Sequence, residues 1–236
     1  MKFNALVRLV LILALCTLTQ SLWAQNQPVQ ATWVAKDFKF HDGSVLPELR
    51  LAYTTLGNPK NPVIVVLHGT NGSGTGMLNK DFGGQLFEPG QAFDANQYFI
   101  VLPDALGAGK SSKPSDGMAG RFPQYNYQDM VTATHLLLTH GLKLNHVRLI
   151  IGNSMGGMHT WLMGIMYPDF ADILIPMASM PIAMSGRNWM MRRLIIDSIR
   201  NDPEWKKVAE ETQRNGKLVD KVESVYMHLT DYSPGK

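Results

Sequence analysis

The sequence predicts an α/β fold, a mostly parallel sheet flanked by helices, from two patterns. Residues 62–67, 98–102, 149–151 and 172–178 are short runs rich in branched and apolar side chains, the pattern of buried strands, the third closing a strand over 146–151. Loops rich in glycine and small residues follow these runs, and helix-periodic segments stand between the later ones, so strand, loop and helix alternate as they do around a parallel sheet. At 236 residues and 45% hydrophobic content the chain is long enough for one sizeable core.

The first residues stand apart from that core. Residues 1–24 carry Lys2 and Arg8 around and before an apolar stretch, 9–18, then a polar break and Leu22-Trp23-Ala24, the layout of a secretory signal peptide cleaved after Ala24. The apolar run is shorter than the roughly 20 residues of a spanning helix, so no stable membrane span is expected after cleavage. Removal leaves 212 of the 236 residues, takes the net charge from +3 to +1, and removes Cys16, the only cysteine. That charge suggests neither a nucleic-acid nor a membrane partner. Export without disulfides fits a bacterial periplasm, or secretion.

Residues 25–180 are expected to form the core. Segments 33–40 and 48–55 are β-rich and joined by the turn-forming His41-Asp42-Gly43-Ser44, predicting an opening antiparallel pair. Strand 62–67 runs into His68-Gly69-Thr70-Asn71-Gly72-Ser73-Gly74, a loop at the carboxyl end of a buried strand, where α/β folds place ligand chemistry. Strand 98–102 leads to Asp104 and then Gly109-Lys110-Ser111, which superficially matches a phosphate-binding loop. The first glycine of that motif would have to stand at Asp104, and Lys113-Pro114-Ser115-Asp116-Gly117 cannot open the required helix, so the nucleotide reading is rejected. Residues 127–140 carry Met130, Ala133 and Leu137 at helical spacing, with Gly141 placed as the cap. A helix over 155–167 is stopped by Pro168, and 172–178 is predicted as a further buried strand. Residues 181–236 change character: 188–200 and 203–214 are helical, Met-rich and charged at intervals, the start of an incomplete helical lid whose methionines suit packing.

The chemistry centres on Leu149-Ile150-Ile151-Gly152-Asn153-Ser154-Met155-Gly156-Gly157. An apolar strand feeding a Gly-x-Ser-x-Gly turn and then a helix is the context in which this motif carries a nucleophile. The serine stands at the tip of a tight turn, so the positions two before and two after it must lack side chains that would collide; Gly152 and Gly156 satisfy that. Ser154 is therefore the candidate catalytic nucleophile. His159 follows it by five residues, about 140° around a helix, a poor position for its base. No spacing of histidines and acids suggests a metal centre, and no cofactor is expected.

The elbow through Met158, Tyr167-Pro168-Asp169, the Leu106-Gly107 loop and Asp202-Pro203-Glu204-Trp205 together resemble α/β-hydrolases of the homoserine O-acetyltransferase-like group. In that family a serine attacks an acyl donor, a histidine takes its proton and an aspartate orients the histidine. The resemblance implies Ser154 as nucleophile and the backbone amides of Thr70 and Met155 as oxyanion-hole donors, with a small-molecule ester or acyl donor as partner. Two preorganised N–H groups are what a tetrahedral intermediate requires. His68 is expected to shape its loop rather than act as a base.

The triad order Ser, Asp, His places the last two after strands that follow the lid, which this chain does not display. His228 is the only histidine beyond His159, and its lid position without a following strand argues against it as the base. The expectation is a serine-dependent acyl-transfer enzyme, most simply a hydrolase of small esters, whose sheet lacks its last strands and whose activity alone is poor. The alternative is a non-catalytic remnant or binding module with an incomplete triad.

Overall fold

The computed structural model describes residues 27–182 and 186–212. The predicted leader, with Cys16, and His228 with the end of the predicted lid lie outside the described residues. Strands β1 (Val29–Lys39), β2 (Val45–Leu56), β3 (Val63–Leu67), β4 (Phe99–Pro103), β5 (Val147–Asn153) and β6 (Ala171–Met177) form one six-stranded sheet in the order β1-β2-β4-β3-β5-β6. β1, β2 and β4 pair antiparallel, while β4, β3, β5 and β6 run parallel. The fold class is the predicted one: a mixed, mostly parallel sheet with helices packed on it.

The apolar runs are continuous because both faces of β3, β4 and β5 are covered. Val63, Val65 and Leu67 of β3 pack with Val101, Ile150, Val131 and Met163 on one face. The intervening Ile64 and Val66 pack with Leu102, Ile151, Met77 and Phe87 on the other. Side chains alternate across a strand, so a polar residue at any of these positions would be stranded in a core. Helices α2 (Tyr127–Leu136) and α3 (Met155–Met166) cover the first face and pack against each other. The second face is covered by the loop after β3, which includes the single-turn α1 (Gly83–Leu86). Helices α4 (Gly186–Asn201) and α5 (Pro203–Thr212) follow β6.

Two expectations are corrected. Residues 172–178 were expected to be buried on both faces, yet β6 is the edge of the described sheet: it pairs only with β5, and Ile173 is 38% exposed. Its apolar residues read like those of β3, because composition carries no record of whether a neighbour follows. Gly141 does not cap the preceding helix either. α2 widens into a π turn, Leu137–Gly141, and the left-handed residue that stops the chain is Lys143 at φ 59°, after which the Leu144 N–H donates to the Leu138 carbonyl at 2.9 Å. Glycine is needed at 141 for packing: a Cβ there would come within 2.9 Å of the Trp33 ring.

The opening hairpin is pinned to α2 by one buried carboxylate. Asp129 accepts the His41 N–H at 2.8 Å, pairs with His41 Nδ1 at 2.7 Å, and accepts the Asn126 N–H at 3.0 Å in a capping box in which the Asn126 side chain receives the Asp129 N–H. Asp129→Ala takes the shared acceptor away from these partly buried donors and removes half the cap. The expected result is a loss of about 2 kcal/mol, read from the urea midpoint at unchanged m-value, with Ser154 still reactive.

Candidate active site

Ser154 stands between the end of β5 and the start of α3, with φ 55° and ψ −114°. A non-glycine residue at positive φ is held there at a cost of order 1–3 kcal/mol, so the surroundings must enforce it. The Ser154 N–H donates to the Met177 carbonyl at 3.0 Å, and its own carbonyl accepts the Met158 N–H at 3.0 Å. The turn is tight enough that a Cβ on Gly152 would strike the Gly156 carbonyl, and one on Gly156 would strike the Leu67 carbonyl and lie 2.8 Å from that of His68. The spacing Gly-x-Ser-x-Gly is thus set by the approach of α3 to β5 on one side and to β3 on the other. The Ser154 side of the turn is exposed.

Thr70 and Met155 are brought to the same end of the sheet. β3 pairs with β5 in a register that sets Leu67 beside Gly152, so Thr70, three residues past Leu67, and Ser154, two past Gly152, leave neighbouring strands side by side. A Cβ built on Gly69 would lie 3.5 Å from the Ser154 Cβ. Met155 opens α3, and its N–H belongs to the first turn, where no intrahelical carbonyl can take it. Its side chain points away into the core with Ala105 and Leu106. A Gly69–Gly72 hydrogen bond of 3.0 Å closes the turn containing Thr70, with Asn71 at φ 60°.

A family model described as the alpha/beta hydrolase fold matches residues 62–203, more than half of the chain. The chain belongs to the α/β-hydrolase-fold family. It is 34% identical over 203 residues to homoserine O-acetyltransferase of Chlorobaculum tepidum, covering 79% of this chain and 52% of the relative. Among solved structures, an acetylester hydrolase from Corynebacterium glutamicum superposes with a TM-score of 0.65 at 22% identity, covering 75% of this chain and 52% of that one. The homoserine O-acetyltransferase of Bacillus anthracis gives 0.63 at 23% identity, covering 76% and 54%. These superpositions carry the fold. The chain spans about half the length of the curated relatives it matches.

In this α/β-hydrolase the histidines divide sharply. His68, 2% exposed, accepts the Ala105 N–H on Nε2 at 3.0 Å and donates from Nδ1 to the Gly69 carbonyl at 2.8 Å, so both nitrogens are committed to loops. His159 is also buried; its ring meets Tyr127 edge-on at 4.8 Å, and its Nε2 has no hydrogen-bond partner among the described residues. Burial, and secondarily the neighbouring His68, push its pKa down to about 3. His146 pairs with Asp172 at 2.9 Å, which raises its pKa, while His146 and Arg148 hold Asp172 below its ordinary value. This exposed pair sits near the amino ends of β5 and β6, roughly 20 Å along the strand from Ser154. Among the described residues no histidine is hydrogen-bonded to Ser154, no group of three metal-ligating side chains is assembled, and no helix is long and apolar enough to cross a membrane.

Asp104 has a role that motif reading missed. Its buried carboxylate accepts the Gly74 N–H at 2.6 Å and the Lys110 N–H at 2.7 Å, and a Cβ on Gly109 would strike it. An acid between a buried strand and a glycine-rich loop was the available signal. Its partners lie 30 and 6 residues away and no spacing rule names them.

Proposed function

We propose that this chain forms the nucleophile-bearing part of a serine-dependent acyl-transfer enzyme that hydrolyses small esters outside the cytoplasm. The observation that carries the reading is Ser154, held at positive φ on an exposed turn against the loop that contains Thr70. Ser154 Oγ attacks the ester carbonyl, and the negative charge that develops on the carbonyl oxygen meets the N–H groups of Met155 and Thr70. Collapse expels the alcohol, leaving an acyl-serine that water then cleaves, returning the hydroxyl and releasing the acid. Donors fixed before the charge appears cost no reorganisation, and each contributes roughly 3 kcal/mol to lowering the barrier. The relatives include both a homoserine O-acetyltransferase and an acetylester hydrolase. The leader-like residues 1–24 favour hydrolysis, since an exported protein is separated from cytoplasmic acetyl-CoA.

A fluorophosphonate probe tests the reading, because it reacts with activated serines only. Labelling and p-nitrophenyl acetate turnover are expected at Ser154 but slow beside an intact esterase, because no histidine is bonded to it among the described residues, and Ser154→Ala is expected to abolish both. Ser154-dependent turnover comparable to an intact esterase would overturn the expectation of poor activity. Absence of label from correctly folded protein would favour a binding module instead; Ser154 then has no activating partner, consistent with the lack of a bonded histidine among the described residues.

A further inference from the structure

The Gly69–Thr70 peptide is held from one side only. Its carbonyl accepts the Gly72 N–H at 3.0 Å and the His68 Nδ1–H at 2.8 Å, which fills both lone pairs. In a trans peptide the carbonyl and the next N–H point in opposite directions, so binding the Gly69 oxygen sets where the Thr70 N–H points. The partners also fix the tautomer of His68. A backbone N–H can only donate, so Nε2 facing Ala105 is bare; a carbonyl can only accept, so Nδ1 facing Gly69 carries the hydrogen.

We propose that His68 is a positioning residue: bonded to Ala105 behind it and to the Gly69 carbonyl beside it, it turns the Thr70 N–H toward the oxyanion that forms on Ser154. This rests on the acyl-transfer reading above. Ala105 is a sound anchor because the two loops brace each other. His68, at the end of β3, takes the N–H of Ala105 in the loop after β4, while Asp104, at the end of β4, takes the N–H of Gly74 in the loop after β3. Asp104 also takes the Lys110 N–H, and the Asp104 N–H is itself bound to the Ala52 carbonyl of β2 at 2.9 Å. The peptide next to the nucleophile is thereby tied through two side chains to a sheet strand.

Two substitutions separate the bonds. In His68→Asn the amide nitrogen takes the place of Nδ1 and keeps the bond to Gly69; in His68→Gln the longer side chain reaches Ala105 but not Gly69. His68→Asn, which gives up the Ala105 anchor but keeps the bond that sets the peptide, is expected to label at Ser154 roughly tenfold more slowly than wild type. His68→Gln is expected to fall roughly 100-fold in labelling and in kcat for p-nitrophenyl acetate, with KM within a few-fold, while still unfolding in one cooperative transition. Imidazole ¹⁵N spectra of the full chain provide a readout without any reaction, and should show His68 protonated on Nδ1 and bare on Nε2. The reverse tautomer, a His68→Gln rate equal to wild type, or equal losses in both variants overturns the role of His68. Folded wild-type protein that never labels overturns the acyl-transfer reading instead, with the tautomer still deciding how His68 is bonded.

Discussion

Gly156→Ala is expected to destabilise the protein by about 3 kcal/mol and to abolish fluorophosphonate labelling of Ser154. A Cβ at this position meets the Leu67 carbonyl of β3, backbone that cannot rotate aside, and lies 2.8 Å from the His68 carbonyl. Relief requires α3 to move off the sheet, and its first residue is Met155, whose N–H is one of the two proposed oxyanion donors. Stability and reactivity therefore fall together. Gly84→Ala is the control: its Cβ would find nothing nearer than the Lys80 Cβ at 3.6 Å, so its unfolding midpoint is expected to stay within about 0.5 kcal/mol of wild type. A Gly156→Ala protein with wild-type stability and labelling would show that the elbow tolerates a side chain facing β3.

The features legible in the sequence were those imposed by local sterics and by burial on two faces. Residues 62–67 and 98–102 have no polar position because Ile64, Val65, Ile100 and Val101 all face cores, and that leaves a direct trace in composition. Gly152 and Gly156 were legible because the collision each avoids is set by spacing around Ser154. What the sequence concealed depends on partners distant along the chain. His68 was expected to shape its loop, but the direction of its bonds required Ala105, 37 residues on; Asp129 required His41, 88 residues back. The end of α2 was misassigned because glycine is the usual left-handed residue, whereas Lys143 occupies that conformation and Gly141 makes room for Trp33.

The shared end of β3, β4 and β5 gathers the groups that the proposed reaction uses: a serine at positive φ, a braced peptide and a first-turn amide, all backbone-defined. β6 is the edge strand of the described sheet. β6 follows the elbow helix and pairs with β5 through Met177, whose carbonyl holds the Ser154 N–H. The backbone of Ser154 is thus anchored by the edge strand of the described sheet, and disturbance of β6 reaches Ser154 through a single hydrogen bond.

Acid is expected to destabilise this protein through His159, and His159→Leu to remove that part of the effect. The ring is buried between α2 and the sheet, 3% exposed, with its pKa pushed from the ordinary 6.5 down to about 3 by burial and then by His68. The folded state therefore keeps His159 neutral over a range in which the unfolded chain takes up a proton. Stability is fully present above pH 6.5, declines as the pH falls below it, and has lost the whole contribution by about pH 3. Between pH 7 and pH 4.5 the loss is about 3 kcal/mol. Leucine has similar volume, and the unpartnered Nε2 gives up no hydrogen bond, so the variant should match wild type within about 1 kcal/mol at pH 7. At pH 4.5 it should be the more stable protein by about 2–3 kcal/mol in urea unfolding. Carboxylates such as Asp172 titrate alike in both proteins and cancel in the comparison. Parallel pH profiles would show that His159 is protonated in the fold. The same burial separates His159 from the chemistry: an imidazole held down to about 3 is a poor proton acceptor for a serine hydroxyl, and its place on α3 turns it toward Tyr127 and the core.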